Sequence, residues 1–295
     1  MAGSVLDSLP YDGGWCAMGR DVLTRPAPPP PCTERYGRHG EHVVEVWPAP
    51  RARAPVVLVV HGGFWRAAYD RRHLRPMAHA LAARGYMVVV PEYRRTGAGG
   101  GWPGTFDDIA AATDAVGPLA LRYDADPARQ VWAGHSAGGH LVLWAAARHR
   151  LPARSRWHRP PAGAGVLCLA GCTSLGLAAL WDLDGGAVRA LLGGAPARVP
   201  QRYALADPGW LLPAGVRARL LHGTADAQVP LAMSRAYAAR ARRLGDAVTL
   251  EELPGADHFA PIDPRSPVWP RVLAAVADLA DTGAAAGPGV RSAHD

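Results

Sequence analysis

The chain has 295 residues, of which 49% are hydrophobic and 19% charged, a balance that can bury a full core as one large domain or two small ones. Its formal charge of +7 comes from arginine alone, because no lysine occurs, and the arginines are scattered along the chain. We therefore expect no nucleic-acid partner. No run of 18 apolar residues and no basic, apolar start occur, so we expect neither a transmembrane helix nor a secretory signal.

The composition divides the chain into three parts. Residues 1–40 are weakly patterned and include the proline-rich stretch 26–31, which predicts an extended arm. Residues 41–281 carry the regular patterns of a domain, within which the looser stretch 172–213 is the expected place of a small cap. Residues 282–295 form a tail of small residues. The four cysteines form no CxxC pair and lack zinc spacing, so we expect no metal on them. Because no secretory signal is expected, we predict reduced thiols and a cytoplasmic location. No cofactor is expected.

Apolar runs alternate with helical patterns throughout the domain. We predict strands at 42–47, 55–60, 86–90, 131–133, 165–170, 216–221 and 248–253, and helices at about 71–84, 107–121, 231–243 and 268–279, with another after Ser136. Near-continuous apolar strands that alternate with helices predict an α/β fold with a mostly parallel central sheet, flanked by helices on both faces. We place the cap insertion after the sixth strand.

The sequence Gly134-His-Ser-Ala-Gly138 joins a short apolar strand to an Ala/Leu-rich helix. G-x-S-x-G at such a junction predicts a nucleophile elbow, in which Ser136 sits on a strained turn above the sheet edge. Gly134 and Gly138 are expected because side chains would collide there. Ser136 is therefore the candidate nucleophile, provided that the chain also supplies a base, an acid and an oxyanion hole.

Two further polar residues follow predicted strands, at the end of the sheet where functional residues of parallel sheets lie. Asp226 follows one strand and His258 follows the last, and the order Ser, Asp, His is that of the α/β hydrolases. We predict a catalytic triad of Ser136, Asp226 and His258, in which His258 is the base and Asp226 orients it. Asp257 stays open as an alternative to Asp226.

Other histidines also lie near strand ends: His61, His135, His140 and His222. We interpret each of them as a structural, hydrogen-bonding histidine rather than the base. No HExxH motif or cluster of carboxylates occurs, so no metal site is expected.

The sequence His61-Gly-Gly-Phe-Trp65 matches an HGGxW motif. With the serine motif and the Asp226 and His258 loops, it makes residues 40 to 280 resemble kynurenine formamidases and related α/β-hydrolase esterases. The resemblance implies that the backbone N–H groups of Gly63 and Phe64, joined by that of Ala137, form the oxyanion hole. Gly63 is expected to let the backbone approach the substrate. Trp65 and Trp102 are our candidates for the lining of a substrate pocket.

The chain also resembles prolyl-oligopeptidase-type hydrolase domains at 191–203 and 222–230, but it lacks the length for their propeller. The resulting hypothesis is a serine hydrolase of a small-molecule ester or amide, with N-formylkynurenine-type aryl formamides as the preferred substrates. A general carboxylesterase is the alternative, followed by a small peptidase or acyltransferase. A non-catalytic binding protein of the same fold is the rival from another class. The sequence does not decide the oligomeric state, monomer or homodimer, and indicates no membrane partner.

Overall fold

The computed structural model describes residues 20–161 and 163–281, and within them the strands form an eight-stranded mixed sheet. The strands are β1 Cys32–Arg35, β2 Val43–Trp47, β3 Pro55–Val60, β4 Met87–Pro91, β5 Asp126–His135, β6 Gly165–Leu169, β7 Ala218–Gly223 and β8 Val248–Leu253. Their order across the sheet is β1-β2-β4-β3-β5-β6-β7-β8. The pairs β1–β2 and β2–β4 are antiparallel, whereas the others are parallel.

Strand β3 shows why the central strands are apolar at every position. Val56, Leu58 and Val60 belong to one core cluster, and Val57 and Val59 belong to a second cluster. Successive side chains of a strand point to opposite faces, so both faces of the sheet are covered by apolar layers.

Helices supply both layers. They are α1 Arg75–Ala82, α2 Gly104–Asp114, α3 Val116–Arg122, α4 Ala137–Ala146, α5 Leu175–Leu180, α6 Ala187–Leu192, α7 Pro200–Ala206, α8 Leu231–Arg243 and α9 Trp269–Asp281. Helices α1 and α9 cover one face through Met77 and Val272, and α2 and α4 cover the other through Phe106 and Leu141. Among the helices of the described ranges, none has the length and apolar character needed to cross a membrane.

The connection between β6 and β7 contains three short helices, α5, α6 and α7, followed by a 3-10 turn at Pro208–Leu211. This connection occupies the place where the sequence suggests a cap. Its apolar residues Leu175, Leu191 and Leu211 join the core cluster that α2 and α4 share. The connection is therefore packed against the same core as α2 and α4.

Part of the stretch 1–40 belongs to the sheet instead of forming an arm. Residues 32–35 form β1, whose side chains are alternately half-buried and exposed as it pairs with β2 at the sheet edge. A strand at an edge needs only one covered side, so its polar sequence carries little strand signal. Residues 1–19 of the expected arm and the whole tail from 282 lie outside the described residues.

Candidate active site

Ser136 occupies the sharp turn between β5 and α4. Its φ of 54° and ψ of −117° are strained for a residue that has a side chain. Hydrogen bonds of the main chain hold this turn. The Ser136 N–H donates to the Leu169 carbonyl at 2.9 Å, and the Ser136 carbonyl accepts from the N–H groups of His140 at 3.2 Å and Cys172 at 3.1 Å. The turn is thus fixed from β6, from α4 and from the chain that follows β6.

The turn is possible because glycines surround it. A Cβ added to Gly134 would lie 2.2 Å from the Gly138 carbonyl oxygen, and one added to Gly138 would lie 2.0 Å from the Val60 carbonyl oxygen. The expected need for glycine at both positions is confirmed. Gly62 has the same property, because its Cβ would lie 2.9 Å from the Ser136 Cβ. The chain after β3 therefore passes directly beside the serine.

His258 and Asp226 follow neighbouring strands, β8 and β7, and are hydrogen-bonded to each other. His258 Nδ1 donates to Asp226 Oδ2 at 2.7 Å, and both side chains are almost completely buried. Asp257 is bonded differently. Its Oδ1 accepts from the N–H groups of Phe259 at 3.0 Å and Ala260 at 2.8 Å, so it caps the turn after His258. Of the two candidate acids, the structure brings Asp226 to the histidine.

The surroundings of Asp226 keep it ionised. Its Oδ1 accepts from the N–H groups of Gln228 at 2.8 Å and Val229 at 2.9 Å, and its Oδ2 lies 3.1 Å from His222 Nε2. Burial by itself would raise the pKa of Asp226, but the hydrogen bonds of His222, His258 and the backbone outweigh burial and hold the pKa well below its usual range. The carboxylate can therefore orient His258 and stabilise a positive charge on it.

The loop after β3 has an unusual backbone. Gly63, Phe64 and Trp65 have positive φ angles of 108°, 46° and 56°. In the described part of the chain, no hydrogen bond uses the N–H groups of Gly63, Phe64 or Ala137, which leaves these donors available to a ligand oxygen. A Cβ on Gly63 would lie 2.4 Å from the Tyr69 Cβ. Tyr69 therefore requires the glycine, whereas the sequence suggested that approach to the substrate requires it.

A cavity of about 200 Å³ lies against Ser136 and brings four of the eight predicted site residues together. Ser136, His258, Gly63 and Phe64 line it. The remaining wall residues are Arg20, Leu23, Tyr69, His73, His135, Asp184, Gln228 and Phe259. Aromatic and aliphatic side chains form an apolar wall, and Arg20, Asp184 and Gln228 add polar groups.

The two tryptophans predicted for the pocket do not line it, and that prediction is wrong. Trp65 has no exposed surface, and its ring centroid lies 5.3 Å from that of His140, edge to face, in the interior. Trp102 packs edge to face on Phe106 and Trp157, with centroid distances of 5.3 and 4.9 Å. The motif HGGxW thus contributes its backbone to the cavity and its tryptophan to the core.

Each of the other histidines near a strand end is hydrogen-bonded within the protein, as expected. The acceptors are Glu92 for His61, the His258 carbonyl for His135, the Ala206 carbonyl for His140 and the Val229 carbonyl for His222. Burial lowers the pKa of His140 to about 4 and that of His135 well below its ordinary value. His135 and His140 are therefore neutral at physiological pH.

Sequence reasoning missed Glu92, which anchors the loop after β3. Its carboxylate Oε1 lies 2.8 Å from His61 Nε2, and both residues are buried. The signal was present, because Glu92 directly follows the apolar strand β4 at the same edge of the sheet as the other polar residues. Among the described residues, no group of three or more His, Cys, Asp or Glu side chains could hold a metal ion.

Comparison with known proteins identifies the family of this chain. Residues 46–240, more than half of the chain, match the BD-FAE family. The chain belongs to the BD-FAE family. This BD-FAE member is 29% identical to Esterase LipQ of Mycobacterium tuberculosis over 242 residues, which cover 76% of the chain and 55% of LipQ. It is 36% identical to Carboxylesterase NlhH of the same species over 94 residues, which cover 32% of the chain and 29% of NlhH. The chain thus spans about half the length of LipQ, and a smaller share of NlhH is matched.

Solved structures support the same fold for the BD-FAE chain. A propionate-bound esterase 2 from Thermogutta terrifontis superposes with a TM-score of 0.69 at 23% identity, covering 88% of this chain and 96% of that one. A bifunctional GH43-CE protein of Bacteroides eggerthii gives a TM-score of 0.68 at 20% identity, covering 87% and 38%. The chain has the α/β-hydrolase fold, as predicted. The resemblance to kynurenine formamidases in particular is not confirmed by these comparisons.

Proposed function

We propose that this chain is a serine hydrolase that cleaves small carboxylic esters. One observation carries the proposal: Ser136, on a strained turn, and His258, bonded through Nδ1 to the buried Asp226, line the same small cavity. A nucleophile, a base and a group that orients the base are what acyl transfer needs. The names of the relatives, Esterase LipQ and Carboxylesterase NlhH, support esters as the substrates.

In the proposed acylation step, His258 Nε2 takes the proton of the Ser136 hydroxyl while Oγ attacks the carbonyl carbon of the ester. The charge that develops on His258 faces the Asp226 carboxylate. When the tetrahedral intermediate collapses, the bond to the alcohol oxygen breaks and His258 returns the proton to that oxygen. The alcohol leaves, and the acyl group stays on Ser136.

The carbonyl oxygen becomes negatively charged during this attack and needs hydrogen-bond donors to stabilise that charge. The unused N–H groups of Gly63, Phe64 and Ala137 supply them, and the fixed turn around each group limits the reorganisation that charge formation would otherwise require. Water then attacks the acyl-enzyme, with His258 again as the base and the same N–H groups as donors to the oxyanion. This second step releases the acid and restores Ser136.

The size of the cavity and the relatives favour short-chain esters over aryl formamides. A cavity of about 200 Å³ with Phe64, Tyr69 and Phe259 in its wall accommodates a short acyl group. The tryptophans that suggested an aromatic substrate lie outside this wall. The carboxylesterase alternative therefore fits the comparisons better than the formamidase hypothesis does.

A hydrolysis panel tests the proposed function. The substrates are p-nitrophenyl acetate, butyrate and octanoate together with N-formylkynurenine, each assayed with the wild-type chain and with Ser136→Ala. We expect kcat/KM to be highest for acetate or butyrate and at least about tenfold lower for N-formylkynurenine, since a misfitting group costs roughly 1–3 kcal/mol in the transition state. A preference for N-formylkynurenine over every ester would reject the ester assignment.

A further inference from the structure

The Asp226 carboxylate contacts two imidazole rings. Its Oδ2 lies 2.7 Å from His258 Nδ1 and 3.1 Å from His222 Nε2. His222 precedes Asp226 by four residues at the end of β7, and neither side chain has any exposed surface. The reaction derived above uses His258 alone, so it gives no role to the second ring.

The hydrogen bonds of His222 determine where its ring hydrogen lies. Nε2 faces two oxygen acceptors, Asp226 Oδ2 at 3.1 Å and the Val229 carbonyl at 2.9 Å, so this nitrogen carries the hydrogen. Nδ1 lies 2.7 Å from the Ser234 Oγ, and the serine hydroxyl donates to it. Ser234 lies in α8 and is 1% exposed. A buried chain of contacts thus runs from Ser234 through His222 and Asp226 to His258.

We propose that His222, oriented by Ser234, is a positioning residue of the hydrolase, which limits the negative charge that Asp226 presents to His258. This inference rests on the proposed function for its meaning in catalysis. The His222 N–H group donates to the Val229 carbonyl at 2.9 Å, and its nitrogen lies 3.1 Å from Asp226 Oδ2, so the positive end of this N–H dipole offsets part of the charge on the oxygen that accepts from His258 Nδ1. Because that oxygen is shared, the basicity of His258 depends on a residue that does not contact the substrate cavity.

The sign of the effect follows from the charges around both rings. His258 faces Asp226 and the ring of His135, whose centroid is 4.7 Å away. Burial lowers the pKa of His135, so that ring is uncharged. On the other side, His222 pairs in register with Glu252 of β8, whose carboxylate is exposed and bonded to Arg235. Removal of the His222 N–H group strengthens the field of Asp226 at His258, which makes His258 easier to protonate.

Two substitutions at His222 separate this role from simple packing. His222→Leu removes the N–H group from Asp226, whereas His222→Gln places an amide N–H at about the same reach. Ser234→Ala keeps the histidine and removes only the bond that orients it. His79→Gln, at an exposed histidine of α1, is the matched control. NMR titration of the His258 ring resonances, assigned by their loss in His258→Gln, measures the pH midpoint of His258 protonation directly. The acid limb of kcat/KM measures the same midpoint through activity.

We expect His222→Leu to move the His258 midpoint and the acid limb upward by about 0.5–1 pH unit. Ser234→Ala should move both upward by a smaller amount, and His222→Gln and His79→Gln should leave them near wild type. A folded His222→Leu protein with an unchanged His258 midpoint would overturn the proposal. If His222→Leu does not fold, Ser234→Ala decides in the same way. If the wild type hydrolyses no ester, the proposed function fails, while the NMR titration still decides whether His222 sets the midpoint.

Discussion

His61 Nε2 and Glu92 Oε1 lie 2.8 Å apart in the interior, and this contact ties the loop after β3 to the end of β4. The other ring nitrogen of His61 lies 2.8 Å from the carbonyl of Gly62, which stands beside the serine. Burial by itself would raise the pKa of Glu92, but its contact with His61, the charge of Arg95 and the hydrogen bond from the Arg71 N–H group lower it to about 2. The buried carboxylate therefore holds the segment that carries the proposed oxyanion donors.

Glu92→Gln should disturb this anchor without changing the shape of the side chain. We expect a loss of about 3–5 kcal/mol in the free energy of unfolding, because charges that faced Glu92 are left without their partner. We also expect kcat to fall more than KM rises. Glu34→Gln, at the partly exposed pair with Arg122, is the control and should cost less than about 1 kcal/mol, because the amide oxygen can still accept from the Tyr123 hydroxyl. Equal losses for both variants, measured by urea unfolding, would show that the Glu92 contact has no special role.

Gly63→Ala tests the proposed oxyanion hole. The added Cβ would meet Tyr69 at 2.4 Å and would sit at a φ of 108°, so the loop must shift its N–H groups. We expect kcat to fall by about 10²–10³, as when one oxyanion donor is lost. Phe64→Ala is the control, because it keeps its N–H group and removes only a ring from the cavity wall, so it should mainly alter KM and acyl preference. A Gly63→Ala enzyme with wild-type kcat would show that this loop does not stabilise the oxyanion.

Asp226→Asn and Asp257→Asn distinguish the two candidate acids. An amide in place of the Asp226 carboxylate would favour the wrong tautomer of His258, which we expect to lower kcat by roughly 10³–10⁴. An amide oxygen at position 257 can still accept from the N–H groups of Phe259 and Ala260, so we expect that change to cost less than about tenfold. Steady-state kinetics on a p-nitrophenyl ester gives the comparison. The larger loss at Asp257 would reverse the assignment.

Three buried histidines predict that the fold is sensitive to acid. Burial lowers the pKa of His73 to about 3, that of His140 to about 4, and that of His135 well below its ordinary value. The unfolded chain, in which histidine titrates near about 6.5, therefore binds more protons than the folded chain below that pH. The contribution of these neutral rings to the free energy of unfolding is fully present above about pH 6.5. It is lost as the pH falls toward 4, at up to ~1.4 kcal/mol per pH unit for each ring.

Urea unfolding at pH 7 and pH 5 measures this effect. We expect the free energy of unfolding to be lower at pH 5 by at least ~3 kcal/mol. His140→Gln should reduce the difference, because the amide can donate to the Ala206 carbonyl but does not titrate. Equal free energies at the two pH values would mean that these histidines are not buried as neutral rings.

Local rules predicted the parts of the structure that depend on local sequence. Apolar runs such as 55–60 located the central strands, and the collisions around Gly134 and Gly138 follow from the chain geometry of a sharp turn. Polar residues after parallel strands must share one edge of the sheet, so the meeting of Asp226 and His258 could also be predicted. The strand β1 could not, because an edge strand has little apolar pattern.

The direction of a side chain in an irregular loop could not be predicted either. Phe64 and Trp65 are adjacent, yet consecutive positive φ angles send the first ring to the cavity and the second into the core. The side-chain contacts of Asp226 could likewise be predicted only in part from the sequence, because its contact with His222 depends on how the chain turns after β7. Such features are set by tertiary packing and not by composition or periodicity.

Titration with a fluorophosphonate probe tests the central claim, that Ser136 is the nucleophile of an esterase. The probe forms a bond to an activated serine that is not hydrolysed, so label and activity can be compared at each degree of reaction. We predict that one equivalent is incorporated, that peptide mass mapping places it on Ser136, and that hydrolysis of p-nitrophenyl butyrate falls in proportion to the label. Labelling at another residue, or full esterase activity in a protein labelled completely at Ser136, would contradict the account.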